Sequence, residues 1–260
     1  MDLGLRGKLA VITGGSIGIG LAVAEGLAAE GCNILITARG HDRLHAEAAR
    51  IRAHYGVEAN GIATDLATAD GCARVIDAAA QLGGADILIN NAGTGSNEKI
   101  ADATDEKWQA YWDLHVMAAV RLARGLVPLM APRGGGAILN NASICATQPL
   151  WYEPIYNVTK AALMMFSKTL ANEVVGDNIR VNTINPGLVL TPDWVKTAKQ
   201  IAGEAGYEAH LQGVADEAGG MKRFASPEEM AHFMVFLCSN RASYSTGSTY
   251  FVDGGWLRTV

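Results

Sequence analysis

The sequence is poor in charge and in cysteine, and each shortage limits what the protein can do. Only 18% of its 260 residues are charged, the net charge is -5, and no run of Lys or Arg occurs. Because nucleic-acid binding depends on a positive surface, no nucleic-acid partner is expected. The four cysteines are widely separated, without a CxxC pair or metal-ligand spacing: Cys32, Cys72, Cys145 and Cys238. We therefore expect reduced thiols, no metal site and a cytoplasmic location.

Long apolar stretches are also missing. Residues 1–8 do not contain the apolar core of a signal peptide, and no apolar run approaches the roughly 20 residues that cross a bilayer. A soluble protein with no membrane partner is the expectation. Because 49% of the residues are apolar, the chain can bury a sizeable core.

Short apolar runs alternate with helical patterns along the whole chain. We predict strands at 9–13, 33–38, 58–63, 86–90, the residues before Ser143, 179–185 and 249–252. Helices are predicted at 21–30, 41–55, 69–82, 104–130, 154–175 and 226–239. This alternation indicates an α/β protein, with one doubly wound Rossmann-type parallel sheet covered by helices on both faces.

No linker or repeat interrupts the pattern, so residues 1–260 are predicted to form a single domain. The longer segment at about 192–224 is predicted to be a substrate lid, with an ordinary surface excursion as the alternative.

A glycine-rich run joins the first strand to the first helix. Gly14, Gly18 and Gly20 stand where a close approach of backbone to a pyrophosphate requires glycine, and the helix N-terminus would offer N–H groups. The spacing G-x-x-x-G-x-G differs from the general dinucleotide fingerprint, and a plain glycine-rich turn is the alternative.

The end of the second strand bears on the choice of nucleotide. An acidic residue there binds the ribose of NAD, whereas an arginine accommodates the 2′-phosphate of NADP. Here Ala38 is followed by Arg39. We therefore predict NADP(H), with NAD still possible if Arg39 is only a solvated surface residue.

Ser143, Tyr156 and Lys160 suit acid-base chemistry. Ser143 follows the fifth predicted strand, and the four-residue gap places Tyr156 and Lys160 on one face of the next helix. An ammonium group near a phenol stabilises the phenolate, and a serine can hold a substrate oxygen, which together suit proton transfer to or from an alcohol or carbonyl. A solvated helix face is the alternative.

With these residues in view, the chain resembles the classical short-chain dehydrogenase/reductase (SDR) family over nearly its full length. The matching motifs are TGGSIGIG at 13–20, Asp65-Leu66, NNAG at 90–93, the Ser143–Tyr156–Lys160 spacing, PGLVLT at 186–191 and the C-terminal pattern at 223–255. The resemblance implies an enzyme that interconverts a secondary alcohol and a ketone by hydride transfer.

The resemblance also implies residue roles. Tyr156 would be the acid-base group, Lys160 would lower its pKa and bind the nicotinamide ribose, and Ser143 would hold the substrate oxygen. The implied cofactor contacts are Gly14, Ser16, Ile17, Gly18, Ile19, Gly20, Arg39, Asp65, Leu66, Asn91, Ala92, Gly93, Tyr156, Lys160, Pro186, Gly187, Val189 and Thr191.

Two positions depart from the family pattern. His115 stands where the family usually has a catalytic asparagine; it either contributes to proton relay or is a packed helix residue. Ile17 stands where NADP-preferring relatives often have a basic residue, so Arg39 alone supports the NADP prediction.

The substrate side is less defined. Ser143, Cys145, Trp151, Tyr156 and Trp194 are the predicted substrate contacts, and the aromatic residues suit an apolar or ring-shaped alcohol or ketone. Sugars, cyclic alcohols, steroids and 3-oxoacyl carrier-protein substrates remain open, although Asn172 replaces an arginine common in the carrier-protein reductases.

A nucleotide-sensing protein without catalysis is the alternative of another class. The resemblance further implies a homotetramer or homodimer formed through the two long helices.

Overall fold

The computed structural model describes residues 1–258, and seven parallel strands form its centre in the order β3-β2-β1-β4-β5-β6-β7. The strands are β1 Leu9–Thr13, β2 Asn33–Ala38, β3 Ala59–Ala63, β4 Ile87–Asn90, β5 Gly136–Asn141, β6 Ile179–Pro186 and β7 Thr249–Val252. The parallel sheet predicted from the sequence is confirmed; the six strands predicted with bounds are found within one residue of them, and the fifth strand ends before Ser143 as predicted.

Within residues 1–258, eight α-helices connect the strands. They are α1 Gly18–Ala29, α2 His41–Tyr55, α3 Ala69–Gln81, α4 Asp105–Trp112, α5 Ala118–Met130, α6 Pro154–Val174, α7 Pro192–Ala218 and α8 Pro227–Cys238. The start of α8 shows how the sequence sets a boundary. Ser226 caps the backbone of Glu229, and the Glu229 carboxylate returns a bond to Ser226 N–H, which forms a capping box.

Successive side chains of each strand point into two different cores. On one face Ile12, Ile34 and Ile36 pack with the residues of α1, α2 and α8. On the other face Val11, Leu35 and Leu88 pack with those of α3, α5 and α6. A sheet buried on both faces favours apolar residues on both sides of its strands, which explains the nearly continuous apolar runs in the sequence.

The strand order reverses between β1 and β4, and this places a cleft at their carboxyl ends. The Thr13 hydroxyl fixes the two strand ends. It donates to the Ile89 carbonyl at 3.1 Å and accepts from the backbone N–H groups of Asn91 (2.8 Å) and Ala92 (2.9 Å). The loops that follow the two strands therefore begin from a rigid base.

The helical stretch predicted over 104–130 is found, but its hydrogen-bonding pattern changes in the middle. A π-helical segment, Asp113–Met117, separates α4 from α5. Such segments widen a helix by one residue and are frequent at functional sites. Here the segment contains His115.

Asp105–Arg133 is also long and apolar enough to cross a membrane by length and composition, so the expectation that no stretch approaches that length was wrong. Core helices of other proteins meet the same criteria. The inner face of α5 is buried, with Leu122, Leu126 and Met130 packed in the second core. Sheet packing accounts for the apolar composition of this stretch.

The predicted lid at 192–224 is mostly one helix, α7, broken at Gly203, whose backbone has φ 71° and ψ 173°. Its C-terminal half has a small apolar core of its own, where Leu188 and Ala215 pack with Trp194, Phe224 and Trp256. The segment is therefore a packed helical layer rather than an irregular loop.

Candidate active site

The bend between β1 and α1 is shaped by its glycines. Gly14 and Gly18 have positive φ angles of 64° and 57°, which disfavour residues with a side chain. A Cβ at Gly20 would overlap the Gly14 carbonyl oxygen. The α1 N-cap residue, Ile17, provides no side-chain hydrogen bond, so the first N–H groups of the helix are left for an anion. The bend therefore fits the pyrophosphate of a dinucleotide.

The other predicted cofactor residues surround this bend. Asn91 Nδ2 donates to the carbonyls of Thr13 (2.9 Å) and Gly14 (3.3 Å), so its side chain supports the bend. Thr191 lies against Gly18: a Cβ at Gly18 would lie 3.5 Å from Thr191 Cγ2. The set as a whole lies at or just after the carboxyl ends of β1, β2, β3, β4 and β6, including the first turn of α1: Gly14, Ser16, Ile17, Gly18, Ile19, Gly20, Arg39, Asp65, Leu66, Asn91, Ala92, Gly93, Pro186, Gly187, Val189 and Thr191.

Arg39 and Asp65 differ in their surroundings. Arg39 is exposed directly after β2, free to meet a phosphate group. The Asp65 carboxylate accepts from the Ala67 N–H at 3.0 Å and shapes the turn after β3. An open depression of about 710 Å³ lies beside Thr191 and the start of α7; it is lined by Leu190, Thr191, Pro192, Val195, Lys196, Lys199 and Gln200.

Ser143, Tyr156 and Lys160 come together at the carboxyl end of β5. Ser143 caps a short 3₁₀ turn, and its Oγ accepts from the Cys145 N–H at 3.2 Å. Tyr156 and Lys160 lie one turn apart in α6, with Lys160 Nζ 5.3 Å from the centre of the Tyr156 ring. The ammonium is buried and donates to the Asn141 carbonyl at 2.8 Å.

The protonation of this set differs from the expectation that Lys160 lowers the Tyr156 pKa. Burial of its hydroxyl, reinforced by Cys145 and Glu153, raises the Tyr156 pKa well above its ordinary value, and the hydrogen bond with Ser143 offsets this only in part. Burial also lowers the pKa of Lys160 to about 8. Tyr156 is therefore a neutral phenol at neutral pH, which is the form that donates a proton.

His115 is a fully bonded buried residue. Its Nε2 accepts from the Thr94 N–H at 3.1 Å, and its Nδ1 lies 2.8 Å from Thr159 Oγ1. Because Thr159 Oγ1 donates to the Ile155 carbonyl at 2.9 Å, it accepts from His115 Nδ1–H. Burial, and after it Lys160, lower the His115 pKa to about 2.

The bonding of His115 favours the packing interpretation over proton relay. Both nitrogens of the neutral ring are hydrogen-bonded, so the ring joins the loop after β4 to α6. The ring meets Tyr156 edge-on, with ring centres 5.6 Å apart. His115 thus helps to hold the Tyr156 ring in position.

Glu153 is a candidate that the sequence patterns did not reveal. Its Oε2 lies 3.8 Å from Cys145 Sγ, and burial raises its pKa to about 7. A partly buried carboxyl group three residues before Tyr156 brings charge into a cleft that was expected to be apolar. The only sequence signal was its position between Ser143 and Tyr156.

The two predicted aromatic contacts are in different surroundings. Trp151 is 81% exposed and stacks edge-on with Tyr152, 5.4 Å between ring centres. Trp194 packs edge-on against Phe224 at 5.2 Å, inside the small core of the lid. Neither tryptophan forms a closed apolar pocket, whereas Cys145 is buried beside Ser143 as expected near the cleft.

Two further observations concern the cysteines and metals. All four cysteines are buried free thiols. Within residues 1–258, no group of three or more His, Cys, Asp or Glu side chains is arranged to hold a metal ion.

Comparison with known proteins shows similarity along the whole chain. Residues 14–257 match the family model described as enoyl-(acyl carrier protein) reductase. Dehydrogenase/reductase SDR family member 4 of Oryctolagus cuniculus is 36% identical, over 96% of this chain and 94% of that protein. The 3-oxoacyl-[acyl-carrier-protein] reductase of Aquifex aeolicus is 31% identical, over 98% of this chain and 99% of that protein.

A solved structure matches more closely than either relative. It is L-sorbose reductase from Gluconobacter frateurii, complexed with NADPH and L-sorbose. That protein is 65% identical to this chain, with 100% of both chains covered and a TM-score of 0.99.

Proposed function

The chain belongs to the short-chain dehydrogenase/reductase family, and on that basis we propose that it is a reductase of a neutral polyhydroxy ketone such as L-sorbose. Family membership makes it an oxidoreductase that interconverts a secondary alcohol and a ketone with NADP(H). The NADPH-bound reductase that is 65% identical over both full chains supports the cofactor and the direction of the reaction.

The substrate class is inferred from the Glu153 carboxyl group. It lies beside Cys145, three residues before Tyr156 in the chain. A carboxylate accepts hydrogen bonds from hydroxyl groups, and charge-assisted bonds of this kind are roughly twice as strong as neutral ones. A polyhydroxy ketone supplies such hydroxyls, whereas a steroid or simple cyclic ketone leaves the carboxylate without a partner, which is costly. Glu153 therefore favours a sugar-like substrate.

The chemistry follows from the positions of three side chains. The glycine bend would hold NADPH, which would supply the hydride. Ser143 donates a hydrogen bond to the substrate carbonyl oxygen, and the neutral Tyr156 hydroxyl is positioned to give that oxygen its proton. Lys160, fixed by the Asn141 carbonyl, offers its charge to the ribose hydroxyls and stabilises the phenolate that remains.

Two alternatives from the sequence receive less support. A carrier-protein substrate brings a phosphate group and an acidic partner, and the Glu153 carboxylate would repel negative charge near the cleft. Cofactor sensing without catalysis leaves the Ser143–Tyr156–Lys160 arrangement without a use.

A homotetramer or homodimer in the cytoplasm is part of the same proposal. Exposed apolar side chains on the outer faces of α4 and α6 support assembly through these helices: Trp112 (39% exposed), Val158 (49%) and Met165 (65%).

The test is a substrate screen that follows the loss of NADPH absorbance with the purified protein. L-sorbose and other neutral ketoses would be compared with cyclohexanone, a 3-ketosteroid and a 3-oxoacyl thioester, each with NADPH and with NADH. We expect the highest kcat/KM with a neutral ketose and NADPH. A preference for the thioester or the apolar ketones would reject the substrate assignment while leaving the enzyme class intact.

A further inference from the structure

The first half of α7 turns a cationic face towards the depression beside the glycine bend. The residues of this face follow helical spacing and include no carboxylate: Pro192, Val195, Lys196, Lys199 and Gln200. Among residues 192–202, Ala198 is the one that is buried. The cationic face is therefore not required to form an apolar core, and it is free to contact a ligand.

The charges of α7 are divided at Gly203, where the helix is broken. The first half, residues 192–202, carries two lysines and a single carboxylate, Asp193. The second half, residues 204–218, carries four carboxylates and no Lys or Arg. In a chain with a net charge of -5, the positive charge of this helix is thus concentrated next to the glycine bend.

The start of α7 lies against the bend itself. A Cβ at Gly18 would lie 3.7 Å from Thr191 Cβ and 3.8 Å from Pro192 Cδ. Lys196 is one turn further along the helix, about 6 Å in the direction of the axis. Because side chains of a helix lean towards its N-terminus, the flexible four-carbon stem of Lys196 can carry the ammonium group back along the depression to the bend.

The two lysines of this face differ in their partners. Lys199 Nζ donates to the Glu204 carboxylate at 2.7 Å and lies 4.8 Å from the centre of the Tyr207 ring, so the second half of α7 holds it. Within residues 1–258, no carboxylate forms an ion pair with Lys196, which is exposed in the lining of the depression. Exposed ion pairs are weak, so a phosphate group can also take Lys199 from Glu204.

We propose that Lys196 binds the pyrophosphate of NADP(H) together with the glycine bend, and that Lys199 adds a second positive charge when it leaves Glu204. The N–H groups of the bend recognise phosphate oxygens but carry only partial charge, whereas an ammonium group supplies a full one. The pyrophosphate is common to NADPH and NADH. This contact therefore contributes to affinity for both nucleotides, and the choice between them is left to Arg39.

The test is the dissociation constant of each nucleotide, measured without substrate by the fluorescence of the reduced nicotinamide. Lys196→Gln should weaken the binding of NADPH and of NADH by the same factor, roughly tenfold, because a charge-assisted bond is lost. Lys196→Arg keeps the charge and should stay within roughly twofold of the wild type. The difference between the wild type and Lys196→Gln should shrink as salt is added, because the site is open to solvent.

A second pair of variants separates phosphate binding from the stability of the helix. Lys199→Gln and Glu204→Gln break the same ion pair, so a purely structural role predicts that both change nucleotide affinity in the same direction. Phosphate binding predicts opposite directions. Lys199→Gln should weaken NADPH binding roughly two- to threefold, and Glu204→Gln should strengthen it by a similar factor, because Lys199 is released and a repelling charge is removed.

The control is Lys8→Gln, because Lys8 directly precedes β1 and donates to Asn240, at the end of the sheet opposite to the bend. Nucleotide affinity in this variant should match that of the wild type. Unchanged affinity in Lys196→Gln would make the cationic face an ordinary solvated surface, and a loss for NADPH alone would move the contact to the 2′-phosphate. Either result overturns the inference. Because no ketone is present in these measurements, failure of the ketose screen would leave the inference intact.

Discussion

The cofactor side of the cleft is formed mainly by backbone groups, whereas the substrate side is formed by side chains. On the cofactor side, backbone geometry does the work: positive φ angles at Gly14 and Gly18 and free N–H groups at the start of α1. On the substrate side, contacts between side chains define the site: Cys145 Sγ lies 3.8 Å from Glu153 Oε2, and Ser143 Oγ accepts from the Cys145 N–H. A backbone requirement restricts the sequence locally, whereas a side-chain cluster can be assembled from many sequences. One side can therefore be recognised by motif, and the other is visible only in three dimensions.

The largest effect that tests this division is the loss of the proton donor. Tyr156→Phe should reduce kcat by roughly a thousandfold, because general acid catalysis contributes about 10² to 10⁴ in rate. NADPH affinity, measured by nucleotide fluorescence, should change much less. A variant that keeps its turnover would show that another group supplies the proton.

A substitution on the cofactor side should instead affect NADPH affinity more than kcat. Gly20→Ala forces a Cβ against the Gly14 carbonyl oxygen, so the bend must open. NADPH binding should weaken by roughly a hundredfold, in line with the 1–3 kcal/mol typical of overpacking. Gly213→Ala is a suitable control, because a Cβ there meets nothing within 4 Å. Equal NADPH affinity in both variants would contradict the fit of the bend to the pyrophosphate.

Glu153→Gln tests the substrate side alone. The loss of charge-assisted bonds to hydroxyls should raise KM for a ketose about tenfold or more, with a smaller effect on kcat. KM for a ketone without hydroxyl groups should hardly change. If KM rose equally for both substrates, Glu153 would be shaping the pocket rather than binding hydroxyls.

Arg39→Leu tests whether Arg39 makes the cofactor site prefer NADPH to NADH. The loss of the guanidinium that is expected to meet the 2′-phosphate should raise KM for NADPH roughly tenfold, or about 1.4 kcal/mol. KM for NADH provides the internal control and should remain as it is. A parallel rise for both nucleotides would assign Arg39 a structural role.

The smallest effect concerns His115 and pH. An unfolded histidine titrates near 6.5, whereas burial lowers the pKa of His115 to about 2 in the folded protein. When the pH falls below about 6.5, the histidine takes up a proton in the unfolded state but not in the folded state. The free energy of unfolding therefore decreases by up to about 1.4 kcal/mol per pH unit.

His115→Gln removes this titration. Denaturant unfolding between about pH 7 and pH 5 should therefore show a shallower loss of stability in the variant than in the wild type. Identical slopes would mean that His115 does not stay neutral in the folded protein.

How far the sequence could predict the molecule follows from the same division. β1, β2, α2 and β7 were predicted with their observed bounds, because strand runs and caps are local signals. The π-helical segment Asp113–Met117 was not predicted, since a π-helical turn leaves the apolar periodicity almost unchanged. The helical nature of α7 was missed because its Gly and Ala content resembles that of a loop.

Within the site, the residues predicted from their sequence spacing lie close together in the structure, whereas the side-chain contacts around them could not be predicted. Ser143, Tyr156 and Lys160 meet at one strand end. The pKa of Tyr156 is raised rather than lowered, because its hydroxyl is buried and lies near Cys145 and Glu153. No pattern in the sequence could show that the Glu153 carboxyl group lies 3.8 Å from Cys145 Sγ.

The end of the chain has a practical consequence for anyone who uses this protein. Trp256 packs in the small core of the lid, Gly254 accepts from the Met221 N–H at 2.8 Å, and the Leu257 N–H donates to the Asp253 carboxylate at 2.7 Å. Strain applied at the C-terminal side of Leu257 would therefore reach the small apolar core that Trp256 forms with α7. Met1 is 92% exposed, so the opposite end is the place for a fused tag.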